Sequence, residues 1–371
     1  MPSNDLAALF TPLTINGLEI KNRIIMAPLQ LSLGVRSRRA KAFYLERARG
    51  GAGAITLPGI AVDTLASDEA WGENGALASF LQGLSSLVAD IHNTGARVGI
   101  QLWHGVHFPA GLSGVEGELI APSATGEARE LKAAEIKIIA GKFAAAAASA
   151  KEAGLDFVNI HGAHAYLLHR FFSPLDNQRS DKYGGSVEKR MTFALECLKA
   201  VRKAVGEDYP VFWRLSAEEG MVNGITLEQS IKLAQALEKA GVDVIDVSYG
   251  RLPRQTMPSK RQSMGTYVSQ AEAIKQAVDI PVIAVGRINS PQLADEIISQ
   301  GKADLVALGR QLIADPYWPK RAREGRYDSI MYCDSCNRDC VRSIPENRRA
   351  TDSKDLSLCK LNERAGREWL M

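Results

Sequence analysis

An α/β fold of eight strand–helix repeats, a (β/α)8 TIM barrel, is the architecture that this 371-residue sequence predicts, on three observations. Eight short runs rich in aliphatic and β-branched residues recur at 23–27, 54–57, 97–102, 157–160, 211–215, 244–247, 282–285 and 305–307. Stretches of helical periodicity separate them, among them 134–153, 187–205, 227–240 and 291–300. A glycine stands between helical pattern and next strand at Gly95, Gly154, Gly241 and Gly301, where it caps the helix and lets the chain re-enter the sheet.

Each apolar run is nearly continuous rather than alternating, as expected of parallel strands covered on both faces. A doubly wound sheet is the runner-up, but no Gly-x-Gly-x-x-Gly follows the first strand. The third strand–helix connection, 105–133, is long and rich in Gly and Pro, and reads as an excursion over the barrel mouth. Residues 1–326 make the barrel, and 327–371 form a short C-terminal cysteine-rich extension outside the eightfold count.

Composition narrows the function classes. The hydrophobic content of 46% is ample for a large core, and the net charge of +3 is close to neutral. No basic stripe interleaved with aromatics occurs, so nucleic acid is not an implied partner. No signal-peptide pattern opens the chain and no run of 18 apolar residues occurs, so the expectation is a cytoplasmic protein with no membrane partner. Cys197 stands alone in a helical pattern and reads as a core residue. Cys333, Cys336, Cys340 and Cys359 cluster near the C-terminus, which in that compartment favours metal over disulfides.

In a barrel, chemistry gathers at the C-terminal strand ends. His161 and His164 follow the strand 157–160, with Tyr166 two residues later. Two imidazoles can share one negative oxygen, and an adjacent phenol can supply a proton. Three such groups within six residues favour a site over satisfied interior side chains. Gly286-Arg287 after the seventh strand and Gly309-Arg310 after the eighth match the usual barrel phosphate site, where glycines admit backbone N–H groups and arginine adds a bidentate contact. Arg214 interrupts the apolar strand 211–215 and needs an anion or polar carbonyls, because an unpaired buried charge is very costly. Gln101 is a similar polar intruder. Both suit the polar edge of a flavin, the glutamine at N3–H and a carbonyl, the arginine on the N1/O2 side.

Together these residues carry a likeness. The chain resembles the old yellow enzyme family of FMN-dependent oxidoreductases over essentially its whole length. The motifs are Asn22-Arg-Ile-Ile-Met-Ala-Pro28, Arg49-Gly-Gly-Ala-Gly53, Gln101-Leu-Trp-His104, His161-Gly-Ala-His164 with Tyr166, Ser173-Pro to Tyr183-Gly-Gly-Ser186, and Ala303-Asp-Leu-Val-Ala-Leu-Gly-Arg310 with Ala314-Asp-Pro316. The resemblance implies FMN over the barrel mouth, reduced by NADPH or NADH. Ala27, Pro28, Leu29, Gln30 and Gly59 would flank it, Gln101 and Arg214 would contact its ring, and Gly286, Arg287, Gly309 and Arg310 its phosphate. His161 and His164 would hold an activating oxygen of an unsaturated small-molecule substrate, with Tyr166 as proton donor. Trp103, Tyr249 and Arg251 would wall the pocket; Arg251 reads either as a contact for an anionic substrate or as a solvated loop residue. Gln30 stands where Cys, Thr or His is common, Ala165 replaces a common Gly, and Ser32 stands where some relatives place a tyrosine.

The cysteines are similar to the iron–sulfur segment of the 2,4-dienoyl-CoA reductase and trimethylamine dehydrogenase branch, where four cysteines hold a [4Fe–4S] cluster. Structural zinc and vacant thiols are the competing readings. The 18 residues between Cys340 and Cys359 exceed that branch's usual gap, and 345–354 reads as a surface loop. No Gly-rich dinucleotide fold follows Cys359. Electrons would therefore reach FMN from NAD(P)H directly or from a separate electron-donor protein. The leading expectation is an ene-reductase acting on activated C=C bonds, as a homo-oligomer. An amine demethylase and an electron-transfer subunit are the alternatives.

Overall fold

A computed structural model describes residues 6–31, 33, 34, 36–62, 76–105, 119–251, 257–342 and 357–370. Ser32, the 345–354 loop and residues 106–118 of the 105–133 excursion lie outside the described residues.

The chain opens with an antiparallel hairpin, β1 (Leu13–Ile15) and β2 (Leu18–Ile20). Eight parallel strands then close a barrel in the order β3 (Ile24–Met26), β4 (Ala54–Ala61), β5 (Arg97–Trp103), β8 (Phe157–Gly162), β9 (Val211–Ser216), β10 (Val244–Ser248), β11 (Val282–Ala284) and β12 (Leu305–Leu308), which pairs back with β3. All eight predicted strands are present. Between β5 and β8, the described end of the excursion holds a two-stranded parallel pair, β6 (Ile120–Ala121) and β7 (Arg129–Glu130).

The helices that cover the sheet include α1 (Arg38–Arg49), α2 (Ala76–His92), α3 (Ala133–Glu152), α4 (Leu167–Phe172) and α5 (Val187–Val205), followed by α6 (Leu227–Lys239), α7 (Val268–Lys275), α8 (Pro291–Ser299) and α9 (Arg310–Ala314). The glycine caps hold: Gly95, Gly154, Gly241 and Gly301 all have positive φ, between 69° and 93°. Ser186, the last residue of the Tyr183 motif, is the N-cap of α5, its side chain accepting from the Lys189 N–H.

Alternation along the strands sorts the barrel interior into layers. Phe157, Phe212, Val244, Ile283 and Leu305 form the lowest layer, closed from below by Ile15 and Ile20 of the hairpin. Room for Phe157 exists because its neighbour in the next strand is Gly99, where a Cβ would lie 2.3 Å from the phenyl ring. Each such fully buried aromatic contributes roughly 1.5–3 kcal/mol.

The extension is tied back to the barrel. Arg47 of α1 forms a buried ion pair with Glu368 at 2.6 Å, and Arg39 Nε donates to the Gly366 carbonyl at 2.5 Å. Among the described residues no helix is long and apolar enough to cross a membrane.

Candidate active site

The next layer up is polar. His161 of β8 stands in register with Arg214 of β9, and Arg214 with Asp246 of β10. Arg214 Nη1 donates to Asp246 Oδ2 at 2.9 Å, and Asn159 Nδ2 donates to the same oxygen at 2.9 Å. Asp246 is therefore the anion that a buried arginine in this strand requires. Arg214 Nη2 reaches Ser248 Oγ at 3.3 Å, and Ser248 Oγ lies 2.7 Å from His164 Nε2. One chain of polar contacts runs from the barrel interior to its mouth.

His161 is the penultimate residue of β8 rather than the first residue after it. The rings gather as the sequence predicts. His161 and His164 have centroids 5.0 Å apart, His161 and Tyr166 4.6 Å, and Tyr166 and Trp103 4.8 Å. Burial holds both imidazoles well below their ordinary pKa, and the nearby Arg214 charge adds to the effect at each. Burial raises the Tyr166 phenol. At neutral pH the cluster thus holds two neutral imidazoles and a protonated phenol.

The loop carrying His164 and Tyr166 is strained and braced. His164 and Ala165 have φ of 57° and 60°, a left-handed conformation that disfavours side chains. The Ala165 N–H donates to His169 Nδ1 at 2.6 Å, Arg170 Nε donates to the Ala165 carbonyl at 2.9 Å, and the His164 N–H reaches Ser216 Oγ at 3.3 Å. Behind His169, Glu219 Oε1 lies 3.4 Å from Nε2. Glu219 also accepts from Arg251 at 2.9 Å and from Ser173 Oγ at 2.8 Å. Arg251 forks onto Asp176 at 2.5 and 2.6 Å. Arg251 is therefore neither a solvated loop residue nor an unengaged cation for an anionic substrate, because two carboxylates already balance its charge.

Around this cluster, Gly59 would place a Cβ 2.5 Å from the Trp103 ring, and Gln101 is buried with Nε2 unpartnered among the described residues. Gln30, Pro58, Gly59 and Tyr44 line a cavity of about 110 Å³. Ala27 pairs with β12 through the Leu308 carbonyl at 3.0 Å, Pro28 is half-buried, and Leu29 lies 3.4 Å from where a Gly309 Cβ would stand. Gly286 has φ of 121° and meets Tyr267, whose ring stacks on Tyr249 at 4.7 Å.

The arginines of the two Gly-Arg pairs turn to the extension. Arg287 Nε donates to Ser335 Oγ at 3.1 Å, and Arg310 Nη1 donates to the Pro258 carbonyl at 2.8 Å and to Asn337 Oδ1. Arg310 also borders a small pocket lined by all four of Cys333, Cys336, Cys340 and Cys359, none of them in a disulfide. Burial pushes the Cys340 thiol up to about 12, against the pull of Arg310. Zinc requires its thiolates within about 2.3 Å of one ion. Among the described residues no group of three or more His, Cys, Asp or Glu is placed to hold a single metal ion.

A (β/α)8 barrel with a histidine pair and a tyrosine at its C-terminal mouth, beside a glycine-lined cradle, defines an enzyme that handles a small molecule over a cofactor. The chain belongs to the NADH:flavin oxidoreductase / NADH oxidase family, whose sequence profile matches residues 8–329. FMN and a nicotinamide nucleotide are the cofactors of that family. The chain is 42% identical to an NADH oxidase of Thermoanaerobacter brockii, over 97% of this chain and 56% of that protein. It is 39% identical to an NADPH dehydrogenase of Geobacillus sp. (strain WCH70), over 85% of this chain and 93% of that protein. Its fold matches a 2-naphthoyl-CoA reductase solved with 2-naphthoyl-CoA at a TM-score of 0.87 and 28% identity, covering 98% of this chain and 58% of that one. The chain thus spans a little over half the length of the oxidase and the CoA-ester reductase.

The residues present fit FMN. Among the described residues the buried Gln101 amide donor has no acceptor, and Gly59, Gly286 and Gly309 keep the surrounding backbone open. All four thiols border one pocket of about 10 Å³; a cluster ties each cysteine to a different iron and so does not need them around one ion. Sequence reasoning assigned no role to Asp246, Ser248, His169 or Glu219.

Proposed function

We propose that this chain reduces activated C=C bonds of enone type, with His161 and His164 as donors to the substrate carbonyl oxygen and Tyr166 as the proton donor. The observation that carries the reading is the packing of two neutral imidazoles against a protonated phenol at one strand end. FMN would be held by Ala27 to Gln30, Gly59, Gln101 and Arg214, with the backbone at Gly286-Arg287 and Gly309-Arg310 at its phosphate. When bound, it supplies a hydride from N5 to the substrate β-carbon, taken in turn from NADPH or NADH.

The chain's own residues do the rest. Negative charge grows on the carbonyl oxygen, and two imidazole N–H groups aimed at it stabilise that charge in a site with little water. Neutral imidazoles do this without placing a full cation beside Arg214. Tyr166, its phenol held protonated by burial, donates to the α-carbon. Trp103 fixes the Tyr166 ring, and Trp103 and Tyr249 wall the pocket. The four cysteines would hold a [4Fe–4S] cluster beside Arg310, which gives a partner protein a second entry for electrons.

Anaerobic stopped-flow measurement of both half-reactions tests the assignment. Tyr166→Phe slows substrate reduction by roughly a hundredfold or more, the usual worth of a general acid, and leaves flavin reduction by NAD(P)H largely intact. Equal loss in both half-reactions refutes the acid role. Turnover of methylated amines with no enone reduction would favour an amine dehydrogenase instead.

A further inference from the structure

We propose that Ser248 is a positioning residue that locks His164 in its Nδ1–H tautomer, so that this imidazole offers its hydrogen to the substrate from Nδ1. The inference rests on the reading of His164 as a donor to the substrate oxygen and specifies which atom does it.

The argument follows donors and acceptors. Arg214 has no acceptor, so its Nη2 can only donate to Ser248 Oγ, 3.3 Å away. Arg214 is itself held by Asp246 through Nη1 at 2.9 Å, two residues before Ser248 on the same strand. Ser248 is buried, 2% exposed, and among the described residues the one acceptor in reach of its hydroxyl hydrogen is His164 Nε2 at 2.7 Å. If His164 instead donated from Nε2, Ser248 Oγ would accept twice and its buried hydrogen would lack a partner, a costly arrangement. A doubly protonated His164 would raise the same conflict, and burial, reinforced by the Arg214 charge, keeps the ring neutral. Nε2 is then the acceptor and the ring proton sits on Nδ1. The backbone is clipped to match, since the His164 N–H reaches Ser216 Oγ, which donates to the Gly250 carbonyl at 2.7 Å. His164 is thereby fixed at both main chain and ring by the ends of β9 and β10.

The test uses the FMN-loaded protein with ¹⁵N-labelled histidine. The chain has only six histidines, and the His164→Ala spectrum assigns the resonance. In the parent and in Ser248→Thr, which keeps the hydroxyl, His164 shows the Nδ1–H signature. In Ser248→Ala that signature is lost, and p-nitrophenolate binds about tenfold more weakly, the effect of one misplaced donor. An unchanged His164 tautomer or an unchanged p-nitrophenolate affinity in Ser248→Ala overturns the proposal. The underlying site reading fails separately: it falls if His164→Ala itself retains full p-nitrophenolate affinity.

Discussion

Replacing His169 with asparagine separates a buried imidazole's titration from its bracing contact. His169 is 1% exposed, and burial, with Arg251 adding to it, lowers its pKa to about 3. Above the ordinary value of 6.5 the ring is neutral in folded and unfolded chains alike and adds no pH dependence. Below 6.5 the unfolded chain takes up a proton that the folded one refuses, so stability is lost as pH falls. At about pH 5.5 that single group removes roughly 1.4 kcal/mol relative to pH 7.5 or so. His161 and His164 contribute in the same direction in both proteins. Asn Oδ1 occupies much the same place as Nδ1, so it can still accept from the Ala165 N–H, while the titration disappears. Urea unfolding at both pH values, with FMN saturating throughout, reads the effect. The parent should lose roughly 1.4 kcal/mol more than His169→Asn between the two conditions, whatever the variant's absolute stability. Equal pH dependence in the two proteins would show that His169 is not held neutral, and the account of the brace would fall with it.

Two further outcomes follow from the same geometry. Asp246→Asn removes the carboxylate that balances Arg214; with Arg214 at the flavin's N1 side, as proposed, the reduced anion gains stability, spectroelectrochemistry should show a higher flavin midpoint potential, and a lower one would contradict that placement. Anaerobically purified protein should contain iron and sulfide together with flavin bands, and Cys333→Ser should lose the iron while keeping the flavin; flavin without iron in the parent would leave the four-cysteine pocket without a cluster.

The strands were legible because a parallel barrel demands apolar side chains on both faces of each strand, and in all eight the apolar run lies within a residue or so of the strand start. The ends were less so. β8 continues through His161 and Gly162, because the inward face of the strand changes from apolar to polar as it rises while its backbone goes on pairing with Arg214 and Leu215. Placing Phe212, Arg214 and Ser216 on one strand beside Val244, Asp246 and Ser248 on the next by their period of two would have found the Arg214–Asp246 pair. Its signal was present in the alternation, but a reading that valued continuous apolar runs passed over it. His169 and Glu219 had no such signal. They lie 50 residues apart and meet only because β8 and β9 are neighbours whose loops emerge on the same face.

The two Gly-Arg pairs show a different limit. Sequence assigns a residue one role, yet backbone and side chain of the same residue can face different partners. At Arg287 the positive φ of 52° turns the chain so that the guanidinium reaches Ser335, itself at φ of 55°. At Arg310, the first residue of α9, the side chain extends to Asn337 and the cysteine pocket. A phosphate at this strand end needs backbone N–H groups more than it needs the arginine heads. With the heads committed to the extension, the proposed phosphate seat falls to the main chain of these four residues, while the two arginine side chains hold the cysteine segment. The strand seven and strand eight ends are thus where barrel and extension meet, and a substitution at either arginine should be read as a change to both.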